Sequence, residues 1–282
     1  MKKFAKMAVA AAIAGMAMGA QAGIVIDDFT IGQGTTAGSL PLTLVDSSNN
    51  GSGFYNSVTG ATTSILGGER DMFIQKIGIG AVGLAAVSTY VDSGILYYST
   101  DSNAAGQSTL RYDGVNGSAT VSAGTQATFD GLLNPIGLGG LDLNATGNAF
   151  KIVVKEADLG FRFSMTVYTS ATEWTTLLLA SVEHNNYVPD SSPIQFADFE
   201  GGIDQVGSFL GSGAYRFTGA GGAANLSNVG ALVAVVNFDG ATTKIDLEID
   251  DIITVPEPAS LGLVGLALLG LGAVRRRKAS AK

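Results

Sequence analysis

Between residues 23 and 254, apolar and polar positions alternate with a period of two, the signature of half-buried strands. Ile245, Leu247 and Ile249 alternate with Asp246, Glu248 and Asp250. Phe161, Phe163, Met165 and Val167 alternate with Arg162, Ser164, Thr166 and Tyr168. Ile24-Val25-Ile26 opens another strand, and Lys151 and Lys155 bracket Ile152-Val153-Val154. Longer apolar runs occupy Trp174 to Val182 and Leu232 to Phe238. Gly, Asn, Ser and Asp cluster between the runs, as turns require. Segments 32–40, 46–53, 101–107 and 219–228 therefore read as loops. Ile203 to Leu210 is the one stretch with a helix-like spacing. Ala81 to Val91 fits strand and helix equally, because Ala and Gly dilute its period. There is no internal repeat and no long linker. Residues 23–254 thus read as one all-β domain, a single β-sandwich of the jelly-roll kind.

Both ends break this pattern. Lys2, Lys3 and Lys6 precede an apolar run from Met7 to Gly19, and Ala20-Gln21-Ala22 has the small-x-small form of a signal peptidase site. Residues 1–22 read as a signal helix, with Ala20 and Ala22 as the recognised small residues and cleavage before Gly23. At the other end, Val255-Pro256-Glu257-Pro258 interrupts the last strand. Ala259 to Val274 then carries no charge, and Arg275-Arg276-Arg277-Lys278 follows at once. As a helix, 259–274 is about 24 Å long against about 30 Å of hydrocarbon, a short transmembrane helix. The basic cluster stays cytoplasmic, which places the bulk of the chain across the membrane. The signal peptide implies the same orientation.

Residues 255–282 resemble the PEP-CTERM sorting signal: Pro256, Glu257 and Pro258 match the motif, and the apolar helix and the Arg cluster follow in order. The tail Lys-Ala-Ser-Ala-Lys after the arginines is slightly longer than the pattern leads one to expect. The resemblance implies an exported protein of a Gram-negative, exopolysaccharide-producing bacterium. It further implies transient anchoring in the inner membrane and processing by an exosortase near the motif. A second resemblance is more diffuse. Ile26-Asp27-Asp28-Phe29 opens the domain, Ile249-Asp250-Asp251-Ile252 closes it, and Gly67-Gly68-Glu69-Arg70-Asp71 lies between. This is similar to galactose-binding-like jelly rolls, the scaffold of many carbohydrate-binding modules.

Composition narrows the chemistry. The 282-residue chain has no Cys, one His and one Trp. Disulfides, Cys-ligated metals and thiol nucleophiles are excluded, as is any site needing two imidazoles. Residues 23–254 hold eight basic and 23 acidic side chains, a formal charge of −15 where the whole chain has −8. That balance argues against a nucleic-acid partner and favours cations. Asp27 or Asp28 beside Asp250 or Asp251 would bring carboxylates together from two terminal strands. Asp28 and Asp251 are the candidate ligands of a structural Ca2+, although no Asp-x-Asp-x-Asp-Gly loop is present. Glu69, Glu156, Glu173, Glu183, Glu200 and Glu248 are candidates for a glycosidase pair, and Glu156 and Glu173 flank neighbouring predicted strands. His184 has no Gly-x-Ser-x-Gly elbow to serve and reads as a turn residue; Gly211-Ser212-Gly213 reads as loop. Tyr90, Tyr97, Tyr98, Tyr112, Trp174, Tyr187 and Tyr215 are available to stack on sugars, although most aromatics of a sandwich belong to its core.

The expected protein is therefore exported, exosortase-sorted and non-enzymatic, a cell-surface or extracellular-matrix component tied to exopolysaccharide or biofilm. A carbohydrate-binding module with structural calcium and a glycoside hydrolase with paired carboxylates are the alternatives.

Overall fold

The computed structural model describes residues 23–255 apart from 35–43, 79–80, 82, 182, 185–192, 201–204, 210 and 241, with backbone alone at 205–209 and 211–216. Its strands form two antiparallel sheets. Sheet A runs, in spatial order, β12 (Pro193–Gln195), β9 (Ala149–Ala157), β16 (Asp246–Val255), β6 (Ile95–Thr100), β5 (Val87–Asp92) and β2 (Leu44–Asp46). A further strand, β1 (Val25–Asp27), also pairs with β16. Sheet B runs β13 (Gln205–Phe209), β14 (Gly211–Thr218), β11 (Trp174–Ser181), β10 (Arg162–Tyr168), β15 (Ala231–Val236), β7 (Gly106–Tyr112), β4 (Glu69–Lys76), β3 (Gly53–Thr59) and β8 (Ser122–Gly124). One short helix, α1 (Gln126–Asp130), is capped by Thr125, whose hydroxyl accepts from Thr128 N at 3.1 Å.

The period-two pattern explains the sandwich. In sheet B, Phe163, Met165 and Val167 of β10, Leu177 and Leu179 of β11, and Leu232, Ala234 and Val236 of β15 are buried. In sheet A, Ile152 and Val154 of β9, Leu96 and Tyr98 of β6, and Leu247, Ile249 and Ile252 of β16 are buried. All belong to one apolar cluster. Each such side chain contributes about 1.5–3 kcal/mol on burial, and with no Cys in the chain this cluster replaces any covalent staple. Ile24–Val255 packs as one compact unit.

Some local readings change. Ile203 to Leu210 contains no helix among its described residues: Gln205–Phe209 is β13, held by pairing to β14. The ambiguous stretch 81–91 turns into strand at Val87. Segment 101–107 is a loop only as far as Ala105, since β7 starts at Gly106. Gly211-Ser212-Gly213 lies in β14, not in a loop. The expected signal helix and the helix 259–274 fall outside the described residues.

Candidate functional site

The two Asp-Asp pairs meet where β1 lies beside β16, with Val25 opposite Ile253 and Asp27 opposite Ile252. The carboxylates then separate. Asp27 turns inward and is fully buried. Arg70 Nη1 donates to both of its oxygens at 2.9 and 2.8 Å, and Tyr112 Oη and Phe29 N each donate at 2.9 Å. Burial pushes the Asp27 carboxyl up, and the Arg70 guanidinium opposes that rise. Asp28 is half-buried and accepts from Thr30 N at 3.0 Å and Thr30 Oγ1 at 2.6 Å. Partial burial raises its pKa, but the bonds from Thr30 and Ser64 outweigh that and hold it below the usual value.

Asp251 follows an irregularity in the β16–β9 register. Its Oδ1 has no hydrogen-bond partner among the described residues. Burial raises its pKa, the charges of Asp250 and Asp28 raise it further, and Lys151 opposes them. The structure therefore brings Asp28 and Asp251 within electrostatic reach of each other. Among the described residues no group of three His, Asp or Glu could hold a metal ion.

The candidate hydrolytic pair is not assembled. Glu156 belongs to β9 in sheet A, whereas Glu173 immediately precedes β11 in sheet B. The chain passes from sheet A to sheet B between β9 and β10, which puts the two carboxylates on different sheets. Glu156 stands opposite Glu248 instead, and Lys155 Nζ lies 3.9 Å from Glu248. Glu69 is buried and accepts from Asn116 N and Gly117 N at 2.8 and 2.6 Å. His184 exchanges backbone hydrogen bonds with Ala157 at 2.6 and 2.7 Å.

A charged group that the sequence did not single out lies on the outer face of sheet B. Arg111 Nε donates to Asp71 at 2.8 Å and lies 3.3 Å from Asp113. Arg111 Nη1 donates to Phe129 O at 2.7 Å, and its guanidinium sits 4.3 Å from the Phe129 ring centre. Ser57 Oγ donates to Asp71. Phe129 also stacks on Phe73 at 5.2 Å. The group is closed off from solvent and fastens α1 to the sheet. Only its charges were visible in the sequence; the 40-residue separation of Asp71 and Arg111 hid the pairing.

The candidate sugar-stacking aromatics divide by face. Tyr98 and Tyr112 are core residues. Tyr187 and the Tyr215 side chain lie outside the described residues. Trp174 of β11 stands opposite Tyr168 of β10, with ring centres 6.3 Å apart. Thr176, two residues on, stands opposite Phe217 of β14, which is exposed. Trp174, Thr176, Tyr168, Thr166 and Phe217 thus share the outer face of sheet B across three strands. The Trp174 ring rests on Gly219, where an added Cβ would lie 2.6 Å from Trp174 Nε1. On the outer face of sheet A, Tyr90 stands opposite Tyr97.

The chain ends of the sandwich form the last candidate site. β16 is paired up to Val255, which stands opposite Ala149, and Asn148 N donates to Val255 O at 3.0 Å. Gly147 runs so close that a Cβ there would lie 2.6 Å from Val255 O. Ile24 N donates to Thr254 Oγ1 at 2.7 Å, and Thr254 N donates to Ile24 O at 2.8 Å. The first residues after the expected signal cleavage and the last before Pro256 are thus joined in one ladder. Gly23 is half-buried beside that ladder. Ala20, Ala22, Pro256, Glu257, Pro258, the span 259–274, Arg275, Arg276, Arg277 and Lys278 lie outside the described residues.

Residues 254–278 match the family model of the PEP-CTERM protein-sorting motif. The chain carries a PEP-CTERM motif. It is an exported protein sorted by an exosortase, and its route passes through the membrane. The PEP-CTERM match begins at Thr254 and so overlaps the last two residues of β16. No helix among the described residues is long and apolar enough to cross a membrane. No curated protein and no solved structure matches the chain. The galactose-binding-like resemblance is therefore not confirmed, and the sandwich rests on its own two sheets.

Proposed function

We propose that the exported sandwich is a non-enzymatic cell-surface or matrix module that associates with exopolysaccharide. The observation that carries this reading is the strip of Tyr168, Trp174 and Phe217 across β10, β11 and β14. Aromatic rings present an apolar face with a polar edge, which suits the apolar face and hydroxyl edge of a sugar ring. Thr176, whose hydroxyl lies 2.8 Å from that of the buried Thr166, lies beside the strip and supplies a polar partner. Asp130, at the end of α1, is close enough to Tyr168 to raise its phenol pKa further, after burial. The strip is thus edged by a carboxylate able to accept from sugar hydroxyls. The spread of the candidate carboxylates over both sheets supports binding over hydrolysis.

A structural calcium at Asp28 and Asp251 belongs to the same reading. The like-charge repulsion felt by Asp251 is the kind that a divalent cation relieves. Affinity electrophoresis of the exported protein in gels containing exopolysaccharide from the producing cells tests the polysaccharide role. The protein is expected to be retarded, and Trp174→Ala to weaken retardation about tenfold. Absence of retardation, or retardation unchanged in Trp174→Ala, contradicts the proposal.

A further inference from the structure

We propose that the outer face of sheet A binds a cationic glycan, a polymer of amino sugars with free ammonium groups, seated on the Tyr90–Tyr97 pair. Alternation along β5 and β6 sets the pair. Val87, Thr89 and Val91 are buried, as are Leu96, Tyr98 and Thr100, so Tyr90 and Tyr97 point outward. Ser93 and Gly94 make the turn between the two strands, both with positive φ, at 52° and 84°. That geometry matches the right-handed twist of a two-residue hairpin and fixes the register. The rings stack with centres 4.5 Å apart and planes 14° apart. Each therefore covers one face of the other.

Carboxylates surround this pair. Glu248 of β16 stands directly opposite Tyr97, and Asp246 stands opposite Ser99. Asp92 is exposed at the end of β5, on the same side as Tyr90. Glu156 stands opposite Glu248. Burial raises both phenol pKa values, and the charges of Asp92 and Glu248 raise both further. Against these acids stands Lys155, 3.9 Å from Glu248.

An ammonium within about 6 Å of a tyrosine ring centre gains from the ring's quadrupole, and more where a carboxylate lies beside it. An aromatic surface on which Asp92, Asp246, Glu156 and Glu248 outnumber the one Lys155 therefore favours a cation. The half-buried Ser88 and Ser99, opposite each other on β5 and β6, add hydroxyls suited to a sugar. The choice of a glycan over a basic peptide rests on the proposed matrix role. The site itself uses none of the residues of the sheet B strip, so the two readings fail separately.

Binding of the exported protein to a glucosamine oligomer with free amines, to its fully N-acetylated counterpart and to a lysine oligomer of equal charge tests the proposal. Calorimetry is run at two salt concentrations. The free-amine oligomer is expected to bind, more weakly at high salt, and the N-acetylated oligomer to bind at least tenfold less tightly. Tyr97→Ala and Glu248→Gln are each expected to cost roughly threefold to tenfold. Equal binding of the two sugar oligomers overturns the proposal. So does free-amine binding that ignores both variants, or its absence. Tighter binding of the lysine oligomer, lost in the same variants, assigns the site to a basic peptide and overturns the glycan.

Discussion

Arg70 is completely buried on the inner face of sheet B. It is held by Asp27, by Gln33 Oε1 at 2.7 Å and by Ile31 O at 2.6 Å, and its guanidinium lies 5.5 Å from the Phe29 ring centre. Its sequence neighbours Glu69 and Asp71 are buried too, each with a distant partner. In the sequence this run stands only as part of the diffuse jelly-roll resemblance, with Glu69 a candidate carboxylate. Its true role depends on partners about forty residues away, which no local pattern records. Arg70→Met leaves Asp27 buried without its cation and is expected to cost about 3–5 kcal/mol in urea unfolding. Adding Asp27→Asn is expected to recover part of that loss, because the two residues are directly coupled. A single variant within about 0.5 kcal/mol of wild type would show that the pair does not hold the fold.

At the scale of elements, legibility follows exposure. β16 keeps one face on the core and a more open one opposite, and its alternation was readable, whereas β11 and β15 read as longer apolar runs. β4 and β7 are buried almost throughout, because α1 and its loop cover their outer face. With both faces buried, the alternation disappears and Ser, Thr and charged residues stand where water was expected. The strand β16 carries a second lesson. Its register irregularity leaves Asp250 and Asp251 side by side, with Asp28 of the neighbouring segment also close.

Asp251 has a raised folded-state pKa, so its charged form disfavours the folded state at neutral pH. As pH falls through that raised value, the folded state takes up the proton first and the penalty disappears. Asp251→Asn is therefore expected to raise the melting temperature at pH 7, with the gain gone below the ordinary value of 3.8. Under the proposed calcium reading, roughly millimolar Ca2+ raises the wild-type melting temperature and not that of the variant. An unchanged wild-type melting temperature in Ca2+ removes the ion, and a variant less stable than wild type at pH 7 without Ca2+ removes the repulsion.

At the scale of the molecule, three unlike pieces share one chain. The formal charge of −8 is the sum over two basic, apolar end segments and a domain at −15. The end segments were legible at once, because an address is a short linear pattern. The aromatic faces were not, since they depend on which strands become neighbours. The ends are also where sorting and folding meet. Thr254 belongs both to the PEP-CTERM match and to the ladder with Ile24. A cut upstream of Thr254 would remove β16 residues paired to β1 and β9, whereas a cut beyond Val255 leaves the sandwich whole. Intact-mass spectrometry of the exported protein, with its terminal peptides sequenced, tests this most directly. The account predicts an N-terminus at Gly23 and a C-terminus beyond Val255 that lacks Arg275–Lys278. A protein that keeps Arg275–Lys278 in exosortase-proficient cells, or one that ends inside β16, would contradict it.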